Sequence, residues 1–66
     1  MHLTINGEAR EFDGADTLGA FLAARGLSAR TVVVEQNGVI VPRAEYDAAP
    51  LSEGDALEIV QMMAGG

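Results

Sequence analysis

Leu3 and Ile5 alternate with His2, Thr4 and Asn6, a period of two that predicts a half-buried strand over residues 1–6. Asn6-Gly7 closes it. Both residues tolerate positive φ, as a tight type I′ turn requires, so residues 8–12 are expected to return antiparallel and complete a hairpin. The period then changes. Leu18, Phe21 and Leu22 recur at helical spacing, Asp16 stands where an N-cap can accept from free backbone donors, and Arg25-Gly26 offers a cation and a left-handed residue at the other end. These signals predict a helix over residues 17–25. Helices under ~12 residues rarely hold alone in water, and Gly19 costs up to ~1 kcal/mol relative to alanine, so this helix needs a sheet beneath its apolar face.

Val32, Val33 and Val34 open a β-branched strand running to Gln36; Asn37-Gly38 signals a second hairpin, and residues 39–41 make a short return stopped by Pro42. Residues 43–50 read as an irregular connection, with Tyr46 and Leu51 as satellite core residues. Glu53-Gly54-Asp55 turns the chain into a last strand over residues 56–62, with Leu57 and Ile59 on one face and Glu58, Val60 and Met62 on the other. The expected organisation is a body over residues 1–62 and a flexible tail over residues 63–66. The order of elements predicts an α+β fold, a mixed sheet of four to five strands packed on one helix. Placing the last strand beside the first through a right-handed crossover makes this a ubiquitin-like β-grasp; an open meander with an appended helix is the competing topology.

Length and composition narrow the function. Sixty-six residues leave room for one small domain, which excludes most enzymes. Ten acidic residues against four basic ones give a net charge of −6, so nucleic acid is an unsuitable partner and a basic protein surface a suitable one. With no cysteine there is neither a disulfide framework nor a thiolate metal site, and packing has to supply the stability. No apolar run approaches the ~20 residues of a membrane span and no secretion signal is evident, so no membrane association and a cytoplasmic location are expected.

The usual catalytic constellations are missing. His2, the single histidine, has no nucleophile beside it and reads as an ordinary exposed residue; the scattered carboxylates read as a solvated surface with no metal site. No phosphate-cradling glycine loop is present, so no catalytic residue and no permanently bound cofactor are expected. Attention passes to Ala64, Gly65 and Gly66, which follow the last strand at once. A stem without side chains can thread a narrow cleft in extended form, carrying the Gly66 carboxylate to a partner's active site. A carboxylate is a poor electrophile until activated, and joining it to AMP at the expense of ATP is the common biological means.

Asn37-Gly38, Val41-Pro42-Arg43, Tyr46, Leu51, Gly54-Asp55, Glu58-Ile59 and the final Gly65-Gly66 together resemble the ThiS family, the sulfur carriers of thiamine biosynthesis. The resemblance covers the whole chain. Gln36 stands where it would favour an apolar residue, which leaves the inward register of that strand open. The resemblance implies a carrier whose Gly66 carboxylate is adenylated by an E1-like enzyme of the ThiF type, which uses ATP, and is then converted to a thiocarboxylate. Sulfur would come from a donor such as a cysteine desulfurase and pass to a thiazole synthase of the ThiG type.

Val33, Val60, Met62 and Met63 are expected to form a partner-binding patch on the sheet face away from the helix. Pro42 reads as a strand stop and Arg43 as a cap or ion-pair residue. Lysine is absent, for which a general preference for arginine is the simple account and protection of an activated acyl group from nearby amines the second. Competing readings are a sulfur carrier for molybdopterin or cysteine biosynthesis, a ubiquitin-like protein modifier, and a non-covalent binding module.

Overall fold

In the computed structural model, which describes residues 1–62, the elements are β1 (His2–Ile5), β2 (Glu8–Glu11), α1 (Leu18–Ala24), β3 (Val32–Gln36), β4 (Val39–Ile40) and β5 (Ala56–Gln61). A 3-10 turn, Arg43–Glu45, lies in the long connection before β5. The sheet has five strands in the order β2-β1-β5-β3-β4. β5, last in sequence, takes the centre, parallel to β1 and antiparallel to β3, and this removes the open meander. Two-residue turns close both hairpins: Asn6 and Gly7 have φ of 51° and 83°, Asn37 and Gly38 have 53° and 86°. The paired positive values are those of a type I′ turn, whose twist matches that of its flanking strands.

The helix begins one residue later than expected. Thr17, not Asp16, is the N-cap, and its hydroxyl accepts from the Ala20 amide at 3.2 Å. The Asp16 carbonyl instead accepts from the Leu51 amide at 2.9 Å, and Thr17 bridges to Pro50. The connection thus runs against the start of the helix and supplies acceptors there: Leu18 donates to the Ala49 carbonyl and Gly19 to the Tyr46 carbonyl, both at 2.8 Å. Two of the backbone donors that every helix start leaves unpaired are satisfied this way. The helix end follows the expected pattern, with the Leu27 amide bonded to the Leu22 carbonyl and the Gly26 amide to the Ala23 carbonyl.

Gly19 is explained by the same contact. A Cβ at this position would fall inside the van der Waals radius of the Asp47 side chain and 3.1 Å from the Asp47 Cα. Only a residue without a side chain lets the helix and the connection approach so closely.

The core lies between α1 and one face of the sheet. Leu18, Phe21 and Leu22 from the helix meet Leu3, Ile5, Val32, Val34 and Leu57 from the strands, all buried. Phe12 packs edge-on to Phe21, ring centroids 4.8 Å apart. Tyr46 and Leu51 are buried, as expected, and the Tyr46 hydroxyl donates to the Val32 carbonyl at 3.1 Å.

Gln36 occupies the core side of β3, half-buried, where its carboxamide donates to the Pro50 carbonyl at 3.0 Å and to Asp55 at 2.9 Å. The inward register of β3 is therefore kept with a polar residue at its last position. The neighbouring groups explain why: Asp55, buried among them, is the acceptor that a nonpolar side chain could not serve.

Candidate functional site

Among the described residues nothing covers the face of the sheet away from the helix. Alternation places Val33 and Glu35 of β3 and Ala56, Glu58 and Val60 of β5 on it, followed by Met62. Val33 and Val60 are direct cross-strand partners, 37% and 60% exposed, and Met62 is 43% exposed. Three of the four patch residues expected from the sequence thus share one face. Met63, like Ala64, Gly65 and Gly66, lies outside the described residues.

Ile40 is an addition. It is 63% exposed and pairs with Glu35, so it extends the apolar stripe outward across β4. Its position was legible: a two-residue turn at Asn37-Gly38 sets Gln36 opposite Val39 and Glu35 opposite Ile40, on the face of Val33.

Glu35 and Glu58 also stand directly opposite each other across β3 and β5. Like charges in such a pair destabilise a sheet, so this arrangement gains nothing for the isolated fold. It gives the apolar stripe a negative margin. A partner that covers Val33, Ile40, Val60 and Met62 while presenting basic groups to Glu35 and Glu58 would be complementary in both shape of polarity and charge.

β5 is held to its end on the β3 side and as far as Ile59 on the β1 side. The Met62 amide, at the last described residue, donates to the Thr31 carbonyl at 2.7 Å. On the other side Asn6 acts as a clamp: its carboxamide accepts from the Ile59 amide at 2.8 Å and donates to the Ile59 carbonyl at 3.2 Å. The side-chain amide thereby continues the pairing that the β1 backbone abandons at its turn. The last described residue of the chain is thus still tied to the β3 side of the sheet.

Asp55 anchors the start of β5. Its carboxylate accepts from Gln36 and Asn37 side chains and from the Ser52 amide, each at 2.9 Å. Burial pushes its pKa up, and the hydrogen bonds from Asn37, the Ser52 amide and Gln36 outweigh burial and hold it below the ordinary aspartate value.

His2 is exposed as expected but not isolated. Its Nδ1 lies 2.9 Å from Glu53 and its Nε2 3.4 Å from Glu11, so it ties β1 to β2 and to the turn before β5. The His2 backbone amide also donates to Glu53, the main reason that the Glu53 pKa is lowered. Among the described residues no group of three His, Cys, Asp or Glu is placed to hold a metal ion. β4 ends at Ile40, one residue short of the expected Val41, and Pro42 stands at the start of the 3-10 turn; Arg43 makes no ion pair among the described residues, and its carbonyl accepts from the Tyr46 amide at 3.2 Å. No described helix is long and apolar enough to cross a membrane.

A five-stranded mixed sheet gripping one helix, with a central last strand and an apolar open face, defines a ubiquitin-like β-grasp protein. The sequence model of the ThiS family matches residues 3–66, and the chain belongs to that family. It is similar to the crystal structure of the thiamine biosynthesis protein ThiS from Geobacter metallireducens, at 38% identity and a TM-score of 0.83, covering all of both chains. An NMR structure of a thiamine biosynthesis protein from the same organism matches at 38% identity and a TM-score of 0.81, over all of this chain and 88% of that one. It is also 44% identical over its full length to a thiazole synthase of Paramagnetospirillum magneticum and 35% identical to one of Magnetococcus marinus. The chain spans 20% of the length of each of these two curated relatives.

Proposed function

We propose that this chain is a sulfur carrier in the biosynthesis of the thiazole moiety of thiamine, a substrate of partner enzymes and not itself a catalyst. The observation that supports this most directly is the family match through Gly66, joined to a central β5 that lies between β1 and β3 and precedes Gly65-Gly66 in the sequence. In this reading residues 1–62 are the recognised body and residues 63–66 the reactive stem. Two relatives named thiazole synthase contain a stretch similar to the whole chain, which supports a working relation between the two activities.

An oxygen of the Gly66 carboxylate attacks the α-phosphorus of ATP on an E1-like, ThiF-type enzyme, pyrophosphate leaves, and an acyl-adenylate forms. The terminal sulfur of a persulfide donor such as a cysteine desulfurase attacks the acyl carbon and displaces AMP, and a thiol reductant cleaves the resulting acyl disulfide to leave a thiocarboxylate, whose sulfur passes to a ThiG-type thiazole synthase. Carboxylate and triphosphate are both anionic, so the activating enzyme must hold them in line and neutralise them. The carrier's share is positional. Ala64, Gly65 and Gly66 thread the partner's cleft while Val33, Val60, Met62 and Met63 bind its surface; ATP belongs to the partner, and the carrier holds no cofactor of its own. A cytoplasmic location goes with this role.

The reading requires Gly66 to bear a free carboxylate in the cell. Mass spectrometry of the intact protein from sulfur-replete cells tests this requirement together with the thiocarboxylate. A species heavier by the difference between sulfur and oxygen, localised to Gly66, is expected. An unmodified acid throughout, or an isopeptide adduct to another protein, overturns the reading in favour of a binding module or a protein modifier. Loss of the thiocarboxylate on incubation with thiazole synthase, and not with molybdopterin synthase, separates thiamine from the rival sulfur pathway.

A further inference from the structure

In the β3–β5 ladder the peptide groups of β5 alternate in direction. Those of Ala56 and Met62 bond toward β3, at Asn37 and Thr31, so those of Leu57, Ile59 and Gln61 face the other way, toward β1. β1 meets the first of these, since the Asn6 amide donates to the Leu57 carbonyl at 2.8 Å. The Asn6 side chain meets the second, at Ile59. Among the described residues nothing meets the third, because β1 ends at Ile5 and turns away into β2. One donor and one acceptor of Gln61 therefore stand at an open strand edge, immediately before the stem.

Beside that edge, on the helix side, is a groove of about 160 Å³ lined by Ile5, Asn6, Arg25, Leu27, Ile59 and Gln61. Among the described residues Arg25 is its one charged lining residue. The guanidinium sits 5.6 Å from the centre of the Phe21 ring and has no carboxylate within ion-pair distance among the described residues, although the chain carries ten acidic groups. On the opposite side of the same edge Val60 and Met62 are exposed.

We infer that the slot vacated by β1 alongside Gln61 receives an extended segment of the activating enzyme, which pairs with the Gln61 peptide group, sets a carboxylate against Arg25 and lays an apolar side chain beside Met62. The inference rests on the proposed carrier function. Strand alternation gives the segment its pattern: a side chain pointing to the helix side meets Arg25, and its neighbour points to the open face. Charge complementarity selects the chemistry. The rest of the surface calls for basic groups, so one acidic residue opposite Arg25 fixes the register of a segment that the overall charge alone would leave free to slide. Pairing at Gln61 also extends β5 by one rung toward the stem and aligns it with the partner's cleft.

The test uses the intact chain, the purified ThiF-type enzyme and ATP, with pyrophosphate release as readout. Arg25→Glu is expected to raise the KM for the carrier about tenfold with kcat changed by less than about twofold, as for loss of a docking charge. Gln61→Pro removes a donor that the internal ladder does not use and is expected to raise KM in the same way. Amide exchange at Gln61 is expected to slow in the complex with the enzyme. An unchanged KM for both variants with unprotected Gln61, while the parent is activated normally, overturns the inference and leaves the carrier function standing. A lower KM for Arg25→Glu overturns it too, because the groove then holds this chain's own terminal carboxylate. If the parent is not activated at all, both readings fall together.

Discussion

Asn37 and Asp55 lie 18 residues apart in the chain and join the turn of the second hairpin to the turn before β5. The Asn37 Nδ2 donates to Asp55 at 2.9 Å, and the Asn37 Oδ1 accepts from the Ala56 amide at 2.9 Å. One carboxamide thus satisfies both the buried carboxylate and the first peptide of the central strand.

Removing the carboxylate strands the donors of Gln36, Asn37 and Ser52 around a buried site. Asp55→Ala is expected to cost about 1–3 kcal/mol at pH 7, read from urea unfolding. The folded pKa of Asp55 lies below its ordinary value of 3.8, so its contribution is fully present above that value and is lost as pH falls through the lower folded value. Between pH 5 and 2, roughly the span over which a depressed aspartate gives up such stability, the parent should lose more stability than Asp55→Asn. Parallel pH profiles for the two proteins would remove Asp55 as the anchor of β5.

Gly19→Ala reverses the usual sign of a glycine-to-alanine change in a helix. Alanine should bring up to about 1 kcal/mol by propensity. Here its Cβ meets Asp47, including the backbone at 3.1 Å, so a net loss of about 1–3 kcal/mol is expected. Asp47→Ala in the same chain should recover part of the loss, since it removes the side chain but not the Cα. A raised melting temperature for Gly19→Ala alone would contradict the close approach.

Met62→Glu places a charge on the open face beyond the end of β5. Stability should move by no more than about 0.5 kcal/mol, because Met62 is exposed and is not part of the hydrophobic core. The KM of the carrier in adenylation should rise about tenfold with a negligible change in melting temperature. Equal kinetics would remove the open face as the docking surface.

Gly65→Ala should impair adenylation far more than folding, and one residue added after Gly66 should abolish it by carrying the carboxylate past the α-phosphorus. Melting temperatures of both proteins should match the parent. Full activity of the extended chain would exclude terminal-carboxylate chemistry.

The parts of this protein that depend on neighbours in sequence were open to reading from the sequence alone. Both Asn-Gly hairpins, the apolar stripe of Leu18, Phe21 and Leu22, and the division of β5 into Leu57 and Ile59 inside against Val60 and Met62 outside rest on backbone preferences and on periods of two or 3.6 residues. The combination of Val41-Pro42-Arg43 with Gly65-Gly66 pointed to the family by resemblance, and the family match bears it out.

Tertiary structure decided what depends on residues distant in the chain. Asp16 and Thr17 are both good caps; the choice went to Thr17 because the Asp16 carbonyl is taken by Leu51, 35 positions on in a chain whose numbering alone does not bring them together. Gly19 reads as a weak point of the helix until Asp47 is seen against it, and Gln36 as a misplaced polar residue until Asp55 is. Arg25 reads as a cap cation, and only the early end of β1 beside a longer β5 leaves it facing an open slot. Local sequence carries the energies of turns and periods, whereas a buried hydrogen bond or a close backbone approach takes its energy from a partner that only the folded chain supplies.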